Sequence, residues 1–370
     1  MSFIPGLTLS KMFYHEIVGP ILKARFPSLP YSAGLIGSGS EVLGFDDEMS
    51  TDHHWGPRLM LFLEEEDVDR LAEAIRKTLA EELPYEFHGY PTNFSEPNLH
   101  PTDRGTQLLQ PIEEGPVNHR VSVYSVQGFF MEYMGLDISK HLDPADWLSL
   151  PEQKLRAVTA GAVFHDAAGL ENMRKRLVYY PRDVWLYLLA AGWGRIEQEE
   201  HLMGRAGLVG DEVGSALIGA RLVRDVMRLC FLMQRTYATY PKWFGTAFKQ
   251  LSCAADLWPV LQSALWSETW QTRQKYLIQA FEYIAAMHNQ LEITEPLPEK
   301  AIAFHNRPFQ VVAFQGFHQA LLKEIKDPRV RQIASRPLIG GIDQFSDSTD
   351  LLSKPGWRKS IKRLYNGETV

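Results

Sequence analysis

The stretch Leu35-Ile36-Gly37-Ser38-Gly39-Ser40-Glu41-Val42-Leu43-Gly44-Phe45 constrains the fold of this chain more than any other. An apolar run breaks into small residues, a polar cluster from Asp46 to His54 follows, and a second apolar run, Leu59-Met60-Leu61-Phe62-Leu63, comes next. That order predicts strand, glycine turn, connecting segment, strand. Glycine lets the main chain approach a ligand closely, and successive N–H groups on such a turn suit a phosphate that adjacent carboxylates hold through a divalent cation. Gly37, Ser38, Gly39 and Ser40 are therefore candidate nucleotide-binding residues, with the two serine hydroxyls as donors.

The arrangement resembles the nucleotidyltransferase superfamily of the DNA polymerase beta type, whose pattern is a Gly-Ser turn, a spacer, and two acids on the next strand. Here Gly39-Ser40 is followed by Gly44, and Thr51-Asp52-His53-His54 stands where the superfamily has Ser-Asp-x-Asp. The wider context Ser50-Thr51-Asp52-His53-His54-Trp55-Gly56-Pro57-Arg58, with Tyr240-Pro241-Lys242-Trp243-Phe244-Gly245-Thr246 downstream, resembles the uncharacterised DUF4037 branch. The resemblance implies a nucleoside triphosphate as substrate and a divalent metal, magnesium or manganese, as cofactor. Asp52 would be both catalytic acid and metal ligand. The second metal acid would fall at position 54, which is His54. Magnesium prefers hard oxygen ligands, whereas manganese or zinc tolerates nitrogen, so the implied pair Asp52 and His54 weakens the case for magnesium.

At 370 residues the chain can bury a sizeable core, and length favours two domains. A formal charge of −7 gives no overall attraction to nucleic acid or an anionic membrane. The two cysteines, Cys230 and Cys253, lie in apolar helical contexts and read as reduced core thiols. Without a signal-like N-terminus or a long apolar run, the expectation is a cytoplasmic protein that makes no membrane contact. Residues 8–25 read as a helix that Pro20 kinks, and 67–83 as an amphipathic helix. Residues 85–90 suggest a strand, 91–118 either a functional loop or an excursion over the site, and 121–126 a half-buried strand with Ser122 and Tyr124 on its polar face. The superfamily's third acid often sits on such a strand. From about residue 145 helices are predicted near 151–169, 181–203, 211–239, 243–253, 257–265, 268–289 and 308–325. The expected fold is α+β: a small mixed β-sheet nucleotidyltransferase-like domain over 1–144, then an α-helical bundle over 145–370. By resemblance to aminoglycoside nucleotidyltransferases, the substrate would lie between them.

Each candidate has a plainer reading. Asp52 is a metal ligand or the cap of a turn, and Asp46 and Asp47 are solvated turn residues or supporting ligands. His53 and His54, being adjacent, face opposite ways on extended chain, and spacing from Asp52 favours His54. Arg58 neutralises a phosphate or pairs with Asp46 or Asp47. Trp185, Leu189, Gly192, Ile196, Glu199 and Met203 form one helical stripe, so Glu199, flanked by Glu200, is either a shielded general base or the partner of Arg195. Arg221, Arg224, Asp225, Arg228 and Arg235 form a stripe that is a solvated face or a source of positive charge; Arg224, Arg205 and Lys242 are candidate phosphate contacts. Trp243 stacks on a base or anchors packing. His165-Asp166 resembles the helical pair of HD-type phosphohydrolases, without evident partner ligands. No GxSxG elbow or Cys/His zinc spacing is present.

The sequence points to a metal-dependent nucleotidyltransferase that moves an NMP, AMP foremost, from an NTP to a hydroxyl of a small-molecule or macromolecular acceptor, with Asp52, Glu199 and Glu200 as catalytic residues. The alternative is a nucleotide-binding or protein-interaction module that kept the fold and lost metal acids.

Overall fold

A computed structural model of the chain describes residues 3–100 and 105–366. The fold is α+β and divides into two units. The first comprises Met1–His141 and Lys154–Val178, the second Leu142–Gln153 and Tyr179–Val370. In place of one break after residue 144, the chain leaves the first unit, returns to it at Lys154, and leaves again after Val178.

The first unit opens with α1 (Gly6–Phe13) and α2 (Gly19–Arg25), joined by a π-helical turn at Tyr14–Val18. The expected kink is this turn, which widens the backbone just before Pro20, a residue with no N–H to donate. Strand β1 (Tyr31–Leu35), the short α3 (Ser40–Leu43), a 3₁₀ turn (Glu48–Asp52) and β2 (Arg58–Leu63) follow in the predicted order. Helix α4 (Glu65–Glu82) starts on Glu65, Glu66 and Asp67, which complement the positive end of its dipole, and buries Ala72, Ile75 and Leu79. The suggested strand at 85–90 is a two-residue hairpin, β3 (Glu86–Phe87) with β4 (Tyr90–Pro91). Strand β5 (Arg120–Ser125) runs straight into α5 (Val126–Met134), where the Ser125 hydroxyl caps Gly128 N–H.

The predicted helix over 151–169 breaks in two. Helix α7 (Glu152–Thr159) follows α6 (Pro144–Leu148) and stops before Gly161, which adopts φ +72; residues 162–166 then form β6 (Ala162–Asp166). A side chain at Gly161 would drive its Cβ into the Leu35 carbonyl, so glycine permits the close approach of β6 to β1. The sheet order is β5-β2-β1-β6, with β2 and β5 parallel and β1 antiparallel to both neighbours. Leu9, Phe13, Val18, Ala33, Leu59, Leu61, Ile75, Leu79, Val121 and Val123 build the core beneath it. His165-Asp166 therefore ends a strand instead of sitting in a helix. Asp166 takes Ser32 Oγ at 2.5 Å and the amides of Leu170 and Glu171, capping α8 (Leu170–Lys175).

The second unit is largely helical: α9 (Arg182–Leu208), α10 (Glu212–Met233), α11 (Pro241–Phe248), α12 (Ala254–Leu265) and α13 (Trp270–Gln290). Strand β7 (Ile302–Ala303) pairs with β8 (Gln310–Val311), and β8 and the short α14 (Phe317–Lys323) occupy the stretch 308–325 expected to be one helix. Helix α15 (Pro328–Ala334), two short helices at Ile342–Phe345 and Thr349–Ser353, and a longer one at Arg358–Asn366 follow. Cys230 and Cys253 are buried free thiols. No helix among the described residues is long and apolar enough to cross a membrane.

Candidate functional site

The Gly-Ser turn stands at the end of β1. Gly37 at φ +83 and Gly39 at φ +149 take conformations that L side chains avoid, and a Cβ on Gly39 would lie 2.5 Å from Arg58 Nη2 and 2.6 Å from Glu41 Oε2. The turn is pressed onto an ion pair. Arg58 Nε donates to Glu41 Oε1 at 2.6 Å and Nη2 donates to the Ser38 carbonyl at 2.8 Å, with both side chains largely buried. The expected partners of Arg58 were Asp46 and Asp47. Asp46 instead accepts Gly6 N–H and Trp55 Nε1–H, and Asp47 caps the 3₁₀ turn through Ser50.

Beside the turn is a cavity of about 180 Å³. Leu35, Leu59, Met60 and Phe129 supply apolar lining; Ser38, Arg58, Arg120, Ser122, Tyr124 and Tyr133 supply polar lining. The parallel register sets Arg58 opposite Arg120 and Met60 opposite Ser122. Arg120 is the residue that sequence reasoning missed. Its side chain lies over the Phe94 ring, and Nη1 meets His54 Nδ1 at 2.5 Å. Burial, then the neighbouring Arg58, push the Arg120 guanidinium down to about 10, so it remains a cation at neutral pH. Tyr133 stacks on Phe129, bonds Ser38 Oγ through its hydroxyl at 3.0 Å, and is held from behind by the Lys154 ammonium. Burial pushes Lys154 down to about 8.

The proposed metal ligands have other engagements. Asp52 ends the 3₁₀ turn with its side chain 62% exposed, and His53 Nδ1 sits 2.6 Å from its carboxylate. His54, at φ +55, donates its backbone N–H to the Gln107 carbonyl and faces a guanidinium through Nδ1. An imidazole nitrogen turned to a guanidinium is poorly placed to ligate a second cation. Among the described residues no group of three His, Cys, Asp or Glu side chains is placed to hold a metal ion. This donor set does not fit a hard divalent cation.

The remaining candidates belong to the second unit. Glu199 forms a two-bond pair with Arg221 at 2.9 and 3.0 Å, and Arg195 pairs with Asp225 at 3.2 Å, in place of the expected Arg195–Glu199 pair. Glu200, 2% exposed, is the buried acid of the two and accepts N–H bonds from Val312, Ala313 and Phe314 at 2.8, 3.1 and 2.9 Å. Arg224 pairs with Asp347, Arg228 lies 3.8 Å from Glu152, and Arg235 stacks over Trp185. The arginine stripe is thus a seam of ion pairs and ring contacts. Arg205 is exposed on α9, and the exposed Lys242 lies over the Trp243 ring.

Residues 147–244 match the profile of a family described as a domain of unknown function, DUF4037. The matched segment includes Tyr240-Pro241-Lys242-Trp243-Phe244 and leaves out the Gly-Ser turn and Asp52. No curated protein matches the chain. Among solved structures, a nucleotidyltransferase-like protein from Exiguobacterium sibiricum is similar at 11% identity over 85% of this chain and 87% of that one, with a TM-score of 0.32.

Proposed function

We propose that the first unit binds the phosphates of a nucleotide on the Gly37–Ser40 turn, and that Arg58 and Arg120, instead of a metal held by Asp52 and His54, supply the positive charge. One observation carries this reading: two guanidiniums are register partners beside the turn, and among the described residues Glu41 is the one carboxylate ion-paired with either. Like charges directly opposite on neighbouring strands repel, and a bound phosphate relieves that repulsion while presenting oxygens to planar, multiply donating groups. The Ser38 hydroxyl adds a donor, and Tyr124 and Tyr133 offer aromatic surface to a sugar or base. A nucleotide-binding module on the nucleotidyltransferase plan accounts for the turn and for the cationic cavity together.

Calorimetric titration with ATP and with pyrophosphate tests it. Arg120→Gln is expected to weaken both by about tenfold, as loss of one charge-assisted contact would. Asp52→Asn is expected to leave both unchanged, and the reverse pattern would overturn the proposal. The Gly-Ser turn and Thr51-Asp52 favour a second reading, metal-dependent NMP transfer to a hydroxyl. Label passing from ATP to an acceptor with manganese, and lost in Asp52→Ala, would establish that reading over binding alone.

A further inference from the structure

The second unit holds a larger cavity, of about 450 Å³, between one face of α9, the loop after β7, the residues before α14, and the segment after α15. The volume falls within the range of small-molecule pockets. Phe304, Phe314, Leu322 and Leu338 supply apolar lining. Phe304 is stacked on His201 at 4.3 Å, and Phe314 meets Phe304 edge-on at 5.4 Å while leaving 44% of itself exposed. Phe314 is held in place: its N–H is one of the three that Glu200 accepts.

The polar lining converges. His318 Nδ1 lies 2.5 Å from Glu197 Oε2, a pairing that matches the acid when the imidazole is protonated. Among the described residues Arg336 donates one N–H, to the Tyr365 carbonyl at 3.1 Å, and the rest of its fork is open to a ligand. Arg307 over the Phe304 ring adds positive charge nearby.

Helix α9 also carries a glycine that packing does not require. A Cβ at Gly192, Gly204 or Gly207 would meet Leu229, Phe309 or Trp270 at 3.0 Å or closer, so those glycines serve helix contacts. Gly194 faces the cavity, and a Cβ there would meet nothing nearer than Leu338 at 3.9 Å. A mid-helix glycine costs stability relative to alanine, and here the return is open space.

We propose that this cavity is a binding site for a small, flat aromatic carboxylate, its ring stacked on Phe314 and its carboxylate held by Arg336. The site is independent of the phosphate site of the first unit. The probe is 2-naphthoate, with 2-naphthylmethanol as its uncharged counterpart, titrated into the full chain by ligand-observed NMR. Wild type is expected to bind naphthoate saturably below about 1 mM. Arg336→Gln should weaken naphthoate by about tenfold and leave the alcohol unchanged. Gly194→Leu, which fills the cavity, should abolish binding of both. Gly194→Ala should raise the melting temperature by about 1–2 °C, which shows that the helix tolerates the side chain. If Gly194→Leu does not fold, Phe314→Ala, at an exposed ring, serves in its place and should also abolish binding. No saturable binding to wild type, or binding unchanged in a folded Gly194→Leu or Phe314→Ala chain, overturns the proposal.

Discussion

Replacing Arg58 by methionine is expected to lower the unfolding free energy of the first unit by about 3–5 kcal/mol, because it strands Glu41 as a buried carboxylate without its cation. The Glu41 side chain is 6% exposed and that of Arg58 14%, so water cannot substitute for the guanidinium. The Ser38 carbonyl loses its donor in the same change, which loosens the Gly37–Ser40 turn. Methionine keeps an apolar stem like that of arginine, so the loss reports the charge and the hydrogen bonds more than the packing. The double variant Arg58→Met/Glu41→Leu should recover most of the stability, since an apolar pair of similar volume replaces a buried ion pair at little cost. Urea denaturation of the three chains measures this. A loss under about 1 kcal/mol in the single variant would mean that the pair behaves as a solvated surface bridge.

Glu200→Gln is expected to destabilise the second unit by about 2–4 kcal/mol. One carboxylate accepts three buried amide N–H groups, and the glutamine –NH₂ can accept none, so at least one amide is left facing a donor. A group with this role is a structural clamp on residues 312–314. Its variant should lose melting temperature, whereas a solvated general base would lose turnover and keep it. The pH dependence has a definite sign. Burial pushes the Glu200 carboxyl up to about 7 against the three N–H bonds that favour its charge. A folded-state pKa above the ordinary value means that the native chain holds this proton more tightly than the unfolded chain does. The contribution is fully present below about 4.5, falls as pH rises, and is lost by about 7. The stability gap between wild type and Glu200→Gln should therefore be widest near the acid end of that window and narrow as pH approaches neutrality. Glu152, buried and also pushed up to about 7, gives both chains the same underlying slope, which cancels in the difference.

The Gly-Ser turn between two strands was legible because glycine and a break in apolar patterning are local signals. The helices of the second unit were legible because their apolar periodicity runs over many turns. What stayed hidden depends on partners distant in sequence. Strand β6 is short and follows a helix with Gly161 as the only stop signal, and its pairing with β1 decides its state. Arg120 lies just outside the strand expected over 121–126, and its meaning comes from standing opposite Arg58 in a parallel register that one sequence does not reveal. Glu41 was read as part of the turn, and its role as the Arg58 partner needs the turn's geometry. The Glu199 and Glu200 readings changed places for a simpler reason. From Val184 to Gly194 helix α9 is buried all round, so a stripe drawn there points the next acids about one residue off.

Under the proposed reading, arginines beside the turn hold the phosphates in place of a metal bound by Asp52 and His54. Calorimetric titration of ATP into the wild-type chain in EDTA, repeated with saturating manganese, tests it most directly. Saturable binding in EDTA, weakened by added salt and no tighter with manganese, is expected, because a metal on the phosphates reduces the charge the guanidiniums attract. Binding that is absent in EDTA, appears with manganese and disappears in Asp52→Asn would contradict it.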